Sequence, residues 1–205
     1  MIKPIIIKIF IITVISFFLI GLFVPMAIIK KKGKDPHGTH EGASLLTRLT
    51  PYTIFTWLTY IILFVIDGKT ILNFLVFEFV ISDIFIFIGI IMISLGLLID
   101  LWGTIALGTN FRIELPKEEI SLNTTGIYRL MRNPIVMGVY LLVTGSFLII
   151  PTIISLIFLI ANILTFDSKI RDEERFLAKR FGEEYKNYCT KVGRYLPFSI
   201  IKNKR

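Results

Sequence analysis

Residues 125–134 read T-G-I-Y-R-L-M-R-N-P and join a polar loop to an apolar segment. The Asn133-Pro134 pair is typical of a helix start, with asparagine at the capping position and proline at the first helical position. Arg129 and Arg132 lie just before it. A helix N-terminus beside guanidinium groups favours a bound anion. The positively charged flank of an ordinary membrane helix has the same kinds of residue. These residues alone therefore do not distinguish an anion site from such a flank, and the rest of the chain is needed.

The composition predicts an integral membrane protein, because 54% of the 205 residues are hydrophobic and soluble domains are less apolar. The formal net charge is +8, and in membrane proteins such an excess lies on the cytoplasmic side against anionic lipid. No soluble domain is large enough to favour nucleic-acid binding. Cys189 is the only cysteine and His37 and His40 are the only histidines, so neither a disulfide nor a metal site is expected.

The apolar runs predict an all-α, polytopic membrane bundle of about five spans. These spans are residues 5–29, 51–66, 84–107, 134–150 and 152–166. Residues 71–81, which include Glu78, are too short to cross and are predicted to form an interfacial or re-entrant piece. Asp100 lies inside the third span, where a carboxylate indicates either a cavity or exposure at the interface.

The predicted organisation has two parts. Residues 1–83 hold the first spans and a basic loop at 30–50, and residues 84–205 form the core with a loop at 108–133 and a helical tail at 168–198. This layout puts 20 of the 23 Lys and Arg residues on one side, which predicts an outside N-terminus and a cytosolic C-terminus. The membrane would be the cell membrane in a prokaryote or the endoplasmic reticulum in a eukaryote.

The tail has helical periodicity, with an apolar stripe flanked by Glu173 and Glu174. Arg171, Asp172, Arg175 and Lys179 fall on the opposite, polar face. Carboxylates beside an apolar face need partners. Two explanations of these carboxylates remain open: a structural ion pair with Arg132, or a place in a functional pocket. Gly182 is predicted to break this helix, and residues 183–188 form a tyrosine ridge that favours packing over catalysis. The topology brings the loop and the tail to the same membrane face.

The second half of the chain contains four motifs in a characteristic order. They are L-G-T-N-F-R at 107–112, G-I-Y-R-L-M-R-N-P at 126–134, E-E-R-F-L-A-K-R-F-G-E-E-Y-K-N-Y at 173–188 and R-Y-L-P at 194–197. Together they resemble the isoprenylcysteine carboxyl methyltransferases and the related phospholipid N-methyltransferases. The resemblance covers about residues 95–198, and the first two spans match only in hydrophobicity. It implies a small helical bundle whose cytosolic C-terminal helix closes a pocket for S-adenosylmethionine.

The resemblance also implies roles for individual positions. Lys169 and Arg132 are the predicted catalytic residues, with Lys169 at a substrate-contacting position. The predicted cofactor-binding residues are Ile120, Ser121, Leu122, Asn123, Tyr128, Asn133, Pro134, Ile135, Val136 and Glu173. Four of these positions depart from the family pattern: Ile120 and Asn133 replace histidines, Val136 replaces a tyrosine, and Lys169 replaces an arginine.

The predicted function is therefore an S-adenosylmethionine-dependent membrane methyltransferase, similar to the isoprenylcysteine carboxyl O-methyltransferases. Its expected partners are membrane lipids and a prenylated or lipid-like acceptor, which would enter between the fourth and fifth spans. Three other functions remain open: a phospholipid or amine N-methyltransferase, an NADPH-dependent membrane reductase of related architecture, and a non-catalytic lipid-binding protein. The sequence indicates no nucleic-acid partner.

Overall fold

The computed structural model describes residues 4–33, 43–66, 82–108 and 121–195. Within these ranges the regular elements are helices, namely α1 (Pro4–Lys31), α2 (Leu45–Ile66), α3 (Asp83–Leu107), α4 (Pro134–Ile149) and α5 (Ile153–Lys191), with a short 3₁₀ turn at Gly126–Arg129. Helices α1, α2, α3 and α5 are long and apolar enough to cross a membrane, and α4 is a shorter apolar helix. The predicted all-α, multi-pass membrane bundle is confirmed.

Two boundaries differ from the sequence prediction. Helix α2 begins at Leu45, six residues earlier than predicted, and α5 runs without a break from the fifth span into the tail. The apolar part of α5 ends near Phe166, and the charged part begins at Asp167. The predicted interfacial piece at 71–81, with Glu78, lies outside the described residues.

Glycines set the distance between α3 and α4. A Cβ atom on Gly96 of α3 would lie 2.7 Å from the carbonyl oxygen of Gly138 on α4, and one on Gly89 would lie 2.8 Å from that of Gly145. In each helix the two glycines are seven residues apart, close to two turns, so they form one stripe. Small residues let the backbones of membrane helices approach closely. The stripe therefore fixes α4 against α3 and sets the position of the α4 N-terminus.

The start of α4 confirms part of the prediction for Asn133-Pro134. Pro134 is the first helical residue and Asn133 occupies the capping position, but the Asn133 side chain makes no capping hydrogen bond. Its Nδ2 lies 3.4 Å from the carbonyl oxygen of Arg194, and its backbone N–H donates to the same oxygen at 3.1 Å. The loop before α4 is thus bound to the segment after α5, and that contact draws the asparagine side chain away from its own helix.

Asp172 of α5 holds the N-terminus of α2. Its Oδ2 accepts hydrogen bonds from the backbone N–H of Ser44 at 2.8 Å and from Oγ1 of Thr47 at 2.5 Å. The first turn of a helix has unpaired N–H groups and favours a negative charge. Asp172 is only 4% exposed, because the start of α2 covers it, whereas Arg171, Arg175 and Lys179 of the same predicted face are exposed.

Gly182 interrupts α5, as predicted. Its φ of 51° and ψ of −121° are not helical, and such positive φ values favour glycine. The residues after it include the buried Tyr185 and Tyr188. The hydroxyl of Tyr188 donates to the carbonyl oxygen of Tyr128 at 2.6 Å, which fixes this last part of α5 against the 3₁₀ turn.

Candidate active site

One cavity of about 560 Å³ is lined by all five helices and by the loop before α4. This volume lies in the range typical of small-molecule sites. Both predicted parts of the chain, 1–83 and 84–205, contribute to it. Ten of the twelve predicted site residues line its wall, namely Ser121, Leu122, Asn123, Tyr128, Arg132, Asn133, Ile135, Val136, Lys169 and Glu173.

The two other predicted residues lie elsewhere. Pro134 is fully buried, with its Cγ 3.2 Å from the point where Gly103 of α3 would carry a Cβ. Pro134 therefore supports the contact between α3 and α4 and does not line the cavity. Ile120 lies outside the described residues.

The adjacent glutamates of α5 occupy different environments. Glu174 forms an ion pair with Arg132, with 3.1 Å between Oε1 and Nη2, and a second one with Arg194. The alternative of a structural ion pair with Arg132 thus holds for Glu174. Glu173 lines the cavity. Burial raises the pKa of the Glu173 carboxyl; the positive charge of Lys169 opposes this effect and the negative charge of Glu174 adds to it.

Arg132 lines the cavity and carries one unsatisfied donor. Its Nε is buried and has no hydrogen-bond partner among the described residues, although its Nη2 is paired with Glu174. A buried polar group without a partner is costly. As a cation of the cavity wall, the Arg132 guanidinium is suited to an anionic group of a ligand.

Three tyrosines add aromatic surface at the same end. Tyr128, Tyr185 and Tyr188 all line the cavity, and the rings of Tyr185 and Tyr188 are 6.3 Å apart. Burial raises the pKa of the Tyr128 hydroxyl, and electrostatic interaction with Glu173, Tyr188 and Asp100 raises it further. The hydroxyl of Tyr128 is therefore protonated at neutral pH and available as a donor.

Sequence reasoning missed the place of Tyr185 and Tyr188 in the cavity wall. It interpreted residues 183–188 as a packing ridge, and the two tyrosines do pack in a cluster with Val192. Their spacing of three residues puts them on one helical face, which is the only signal that the sequence contains. The kink at Gly182, which the sequence did predict, does not by itself tell which face points inward.

The opposite end of the cavity is apolar. The residues of α2 that line it change from Thr47 and Thr50 to Ile54, Leu58 and Ile62. Helix α1 adds further apolar side chains, among them Phe18, Leu19 and Leu22. Helices α1 and α2 thus supply much of this apolar wall, and the opening between the fourth and fifth spans stays a prediction.

The fold and the cavity define a multi-pass membrane bundle that holds an amphipathic cavity. Residues 84–184 match the phospholipid methyltransferase family. The chain is also 32% identical over 117 residues to a probable protein-S-isoprenylcysteine O-methyltransferase of Oryza sativa subsp. indica, with 55% of this chain and 61% of the relative covered.

Two further relatives have similar names. Protein-S-isoprenylcysteine O-methyltransferase A of Arabidopsis thaliana is 33% identical over 114 residues, which cover 54% of this chain and 58% of the relative. The Xenopus laevis protein-S-isoprenylcysteine O-methyltransferase is 30% identical over 115 residues, 54% of this chain and 40% of the relative. The predicted resemblance is confirmed for residues 84–184, which match the phospholipid methyltransferase family. The chain spans between 40% and 61% of the length of these relatives.

Proposed function

We propose that the chain is an S-adenosylmethionine-dependent membrane methyltransferase that acts on a prenylated or lipid-like acceptor. The observation that carries this proposal is that the cavity has one charged end and one apolar end. Residues of the region that matches the methyltransferase family form its charged end. Residues of α1 and α2 line its apolar end. A polar cofactor and an amphiphile would each find a matching environment.

The residues at the charged end fit the cofactor by their chemistry. S-adenosylmethionine carries a sulfonium, an ammonium, a carboxylate and an adenine ring, and it would supply an electrophilic methyl group. The Glu173 carboxylate in the cavity wall suits a cationic group, and the Arg132 guanidinium suits the carboxylate. The faces of Tyr128, Tyr185 and Tyr188 suit an aromatic ring or a cation.

The chain would contribute positioning and exclusion of water. Holding two reactants in line accounts for a large part of the acceleration in such displacements, and a dry site strengthens attraction between a carboxylate and a cation. Lys169, which lies 5.8 Å from the centre of the Phe166 ring, is one α-helical turn before Glu173. We assign Lys169 to the side of the methyl acceptor.

We further propose that the charged end faces the cytosol, with the N-terminus outside and the C-terminus inside. The excess of basic residues on that side supports this orientation. The soluble cofactor would then enter from the cytosol, and the acceptor would enter from the bilayer along the apolar wall of α1 and α2.

Calorimetric titration of the detergent-purified chain with S-adenosylmethionine tests this proposal. The wild type should bind. Glu173→Gln should weaken binding by about tenfold or more, because a charge-assisted hydrogen bond contributes about 1.5–3 kcal/mol. Glu183→Gln is the matched control, since Glu183 lies on the same helix, is 78% exposed and pairs with Lys186. Absence of binding by the wild type, or equal binding by Glu173→Gln and the wild type, would overturn the proposal.

A further inference from the structure

Asp100 of α3 is a carboxylate of the cavity wall to which the proposed cofactor site gives no role. It is 5% exposed, and among the described residues it forms no ion pair and no side-chain hydrogen bond. The other α3 residues of the wall, Thr104 and Leu107, lie nearer the C-terminal end of the helix. An acid inside a membrane helix is costly and marks a functional partner or a cavity.

The carboxylate of Asp100 is open to the cavity. Among the described residues, two buried side-chain atoms are sealed off and lack a hydrogen-bond partner, namely Nε of Arg132 and Oδ1 of Asn162. The oxygens of Asp100 lack a partner too but are not sealed in this way, so they are accessible from the cavity that the residue lines. A Cβ atom on Gly138 of α4 would lie 2.8 Å from the Cβ of Asp100, so close helix packing fixes where this side chain starts.

Asp100 lies at the level where the cavity wall changes from charged to apolar. Gly138, which packs on Asp100, is two residues before Tyr140, and the Tyr140 ring lies 6.5 Å from the ring of Phe166 on α5. Phe166 lines the cavity and is the last residue of the apolar part of α5. Glu173 follows it by seven residues, or about 10 Å along the helix, towards the charged end.

The other charged residues of the cavity wall have counter-charges within the chain. Arg132 is paired with Glu174, and Lys169 lies close enough to Glu173 for its charge to act on that carboxyl. Asp100 has no basic residue beside it among the described residues. A ligand group that complements Asp100 would therefore be cationic.

The proposed cofactor has two cationic groups, an ammonium in its amino-acid part and the sulfonium that carries the methyl group. In the proposed function the cofactor occupies the charged end of the cavity and the acceptor occupies the apolar end. The methyl group must then lie where the two ends meet, and the sulfonium, to which it is bonded, lies at the same level. That is the level of Asp100, whereas the ammonium extends away from the methyl group into the charged end.

We propose that Asp100 binds the sulfonium group of the cofactor and thereby distinguishes the cofactor from its demethylated product. This inference rests on the proposed function and adds a residue to its site. When a lone pair of the acceptor takes the methyl group, the C–S bond breaks and its electron pair stays on sulfur, which becomes a neutral thioether. The attraction between Asp100 and the sulfur, which is strong in a site of low dielectric, then ends. Asp100 thus favours binding of the cofactor and release of the product.

Calorimetric titration of the detergent-purified chain with three probes tests this inference. They are S-adenosylmethionine, its neutral thioether S-adenosylhomocysteine, and sinefungin, which carries an amine in place of the methylsulfonium. The wild type should bind the two cationic probes about tenfold or more tightly than the thioether, a difference of about 1.4 kcal/mol. Asp100→Asn should weaken binding of both cationic probes by about tenfold or more and leave the affinity for the thioether unchanged.

Two further variants complete the test. Asp100→Glu keeps the charge and should keep part of the preference for the cationic probes. Asp83→Asn is the matched control, because Asp83 is an exposed acid on the same helix, and it should bind all three probes as the wild type does.

The outcomes separate this inference from the proposed function. Equal losses for all three probes in Asp100→Asn would make Asp100 a structural residue and overturn the inference. An unchanged preference in Asp100→Asn would overturn it as well, and so would equal affinity of the wild type for the three probes, which needs no variant. A wild type that bound none of the probes would contradict the proposed function itself.

Discussion

Oε1 of Glu174 on α5 lies 3.1 Å from Nη2 of Arg132, two residues before α4. The same carboxylate binds Nε of Arg194 at 3.1 Å, beyond the end of α5. In addition, the backbone N–H of Arg132 donates to the carbonyl oxygen of Gly193 at 2.9 Å. One carboxylate thus joins three segments of the chain at the charged end of the cavity.

Glu174→Gln should destabilise the protein by about 2–3 kcal/mol, because it leaves two guanidinium groups without their counter-charge in a largely buried setting. We expect a lower unfolding temperature in detergent. The binding of S-adenosylmethionine should also weaken, since Arg132 would lose its fixed position. Glu183→Gln, in an exposed pair, should change stability by less than about 0.5 kcal/mol. An unchanged unfolding temperature in Glu174→Gln would contradict the structural role of this carboxylate.

Gly96→Ala should separate α3 from α4. The new methyl group would meet the carbonyl oxygen of Gly138 at 2.7 Å and the backbone nitrogen of Leu142 at 3.0 Å, and neither backbone atom can move without the helix. Overpacking of this kind costs about 1–3 kcal/mol or more, which thermal unfolding in detergent would measure. Gly21→Ala is the control, because its methyl group would meet only the end of the Leu101 side chain. Equal effects of the two substitutions would exclude a backbone contact at Gly96.

Much of the fold could be predicted because membrane spans leave a strong signal in the sequence. The runs at 5–29 and 84–107 correspond closely to α1 and α3, since about 20 apolar residues are needed to cross the bilayer. The early start of α2 was missed because Thr47, Arg48 and Thr50 interrupt its apolar character. Those threonines are buried against α5, a contact between residues far apart in the chain that local hydropathy does not reveal.

The candidate site was predicted through the family resemblance more than through physical patterns. Helical periodicity alone placed Glu173 and Glu174 together beside the apolar stripe, and only the structure separates Glu174, with its two arginines, from Glu173 in the cavity. The contact of Asp172 with α2 was missed for a related reason: periodicity identifies a second face but not what packs on it. The apolar wall of α1 and α2 could not be assigned, because the first two spans resemble the family only in hydrophobicity.

Asp172→Asn should loosen α2 from α5 in a pH-dependent way. Burial favours the protonated form of Asp172, but hydrogen bonds from Thr47 and Ser44 and the charge of Arg175 outweigh it and lower the pKa of this carboxyl. An acid with a depressed folded-state pKa stabilises the fold above its unfolded pKa, about 3.9. That stability is lost as the pH falls through the folded-state pKa.

The wild type should therefore unfold at a higher temperature than Asp172→Asn at neutral pH, and the two curves should converge in acid. Hydrogen exchange at the start of α2 should be faster in the variant, because the N–H of Ser44 would lose an ionised acceptor. Asp83→Asn, at an exposed acid, should follow the wild type at every pH. A constant difference between wild type and Asp172→Asn down to the lowest pH would show that ionisation of Asp172 does not hold α2.

Glu173 should show the opposite pH dependence, because burial raises its pKa. Cofactor binding through an ionised Glu173 should weaken as the pH falls through this raised pKa, and so at a higher pH than the value of about 4.3 for a solvated glutamate. In the cofactor-free protein the unfolded chain releases this proton first, so stability is lost as the pH rises from the unfolded towards the folded pKa. Glu173→Gln should therefore unfold at a higher temperature than the wild type at neutral pH and bind S-adenosylmethionine more weakly.

Paired calorimetric and thermal titrations between about pH 4 and 8 would measure both effects. If the substitution changed binding and stability in the same direction, Glu173 would be a structural group and not a ligand-binding one.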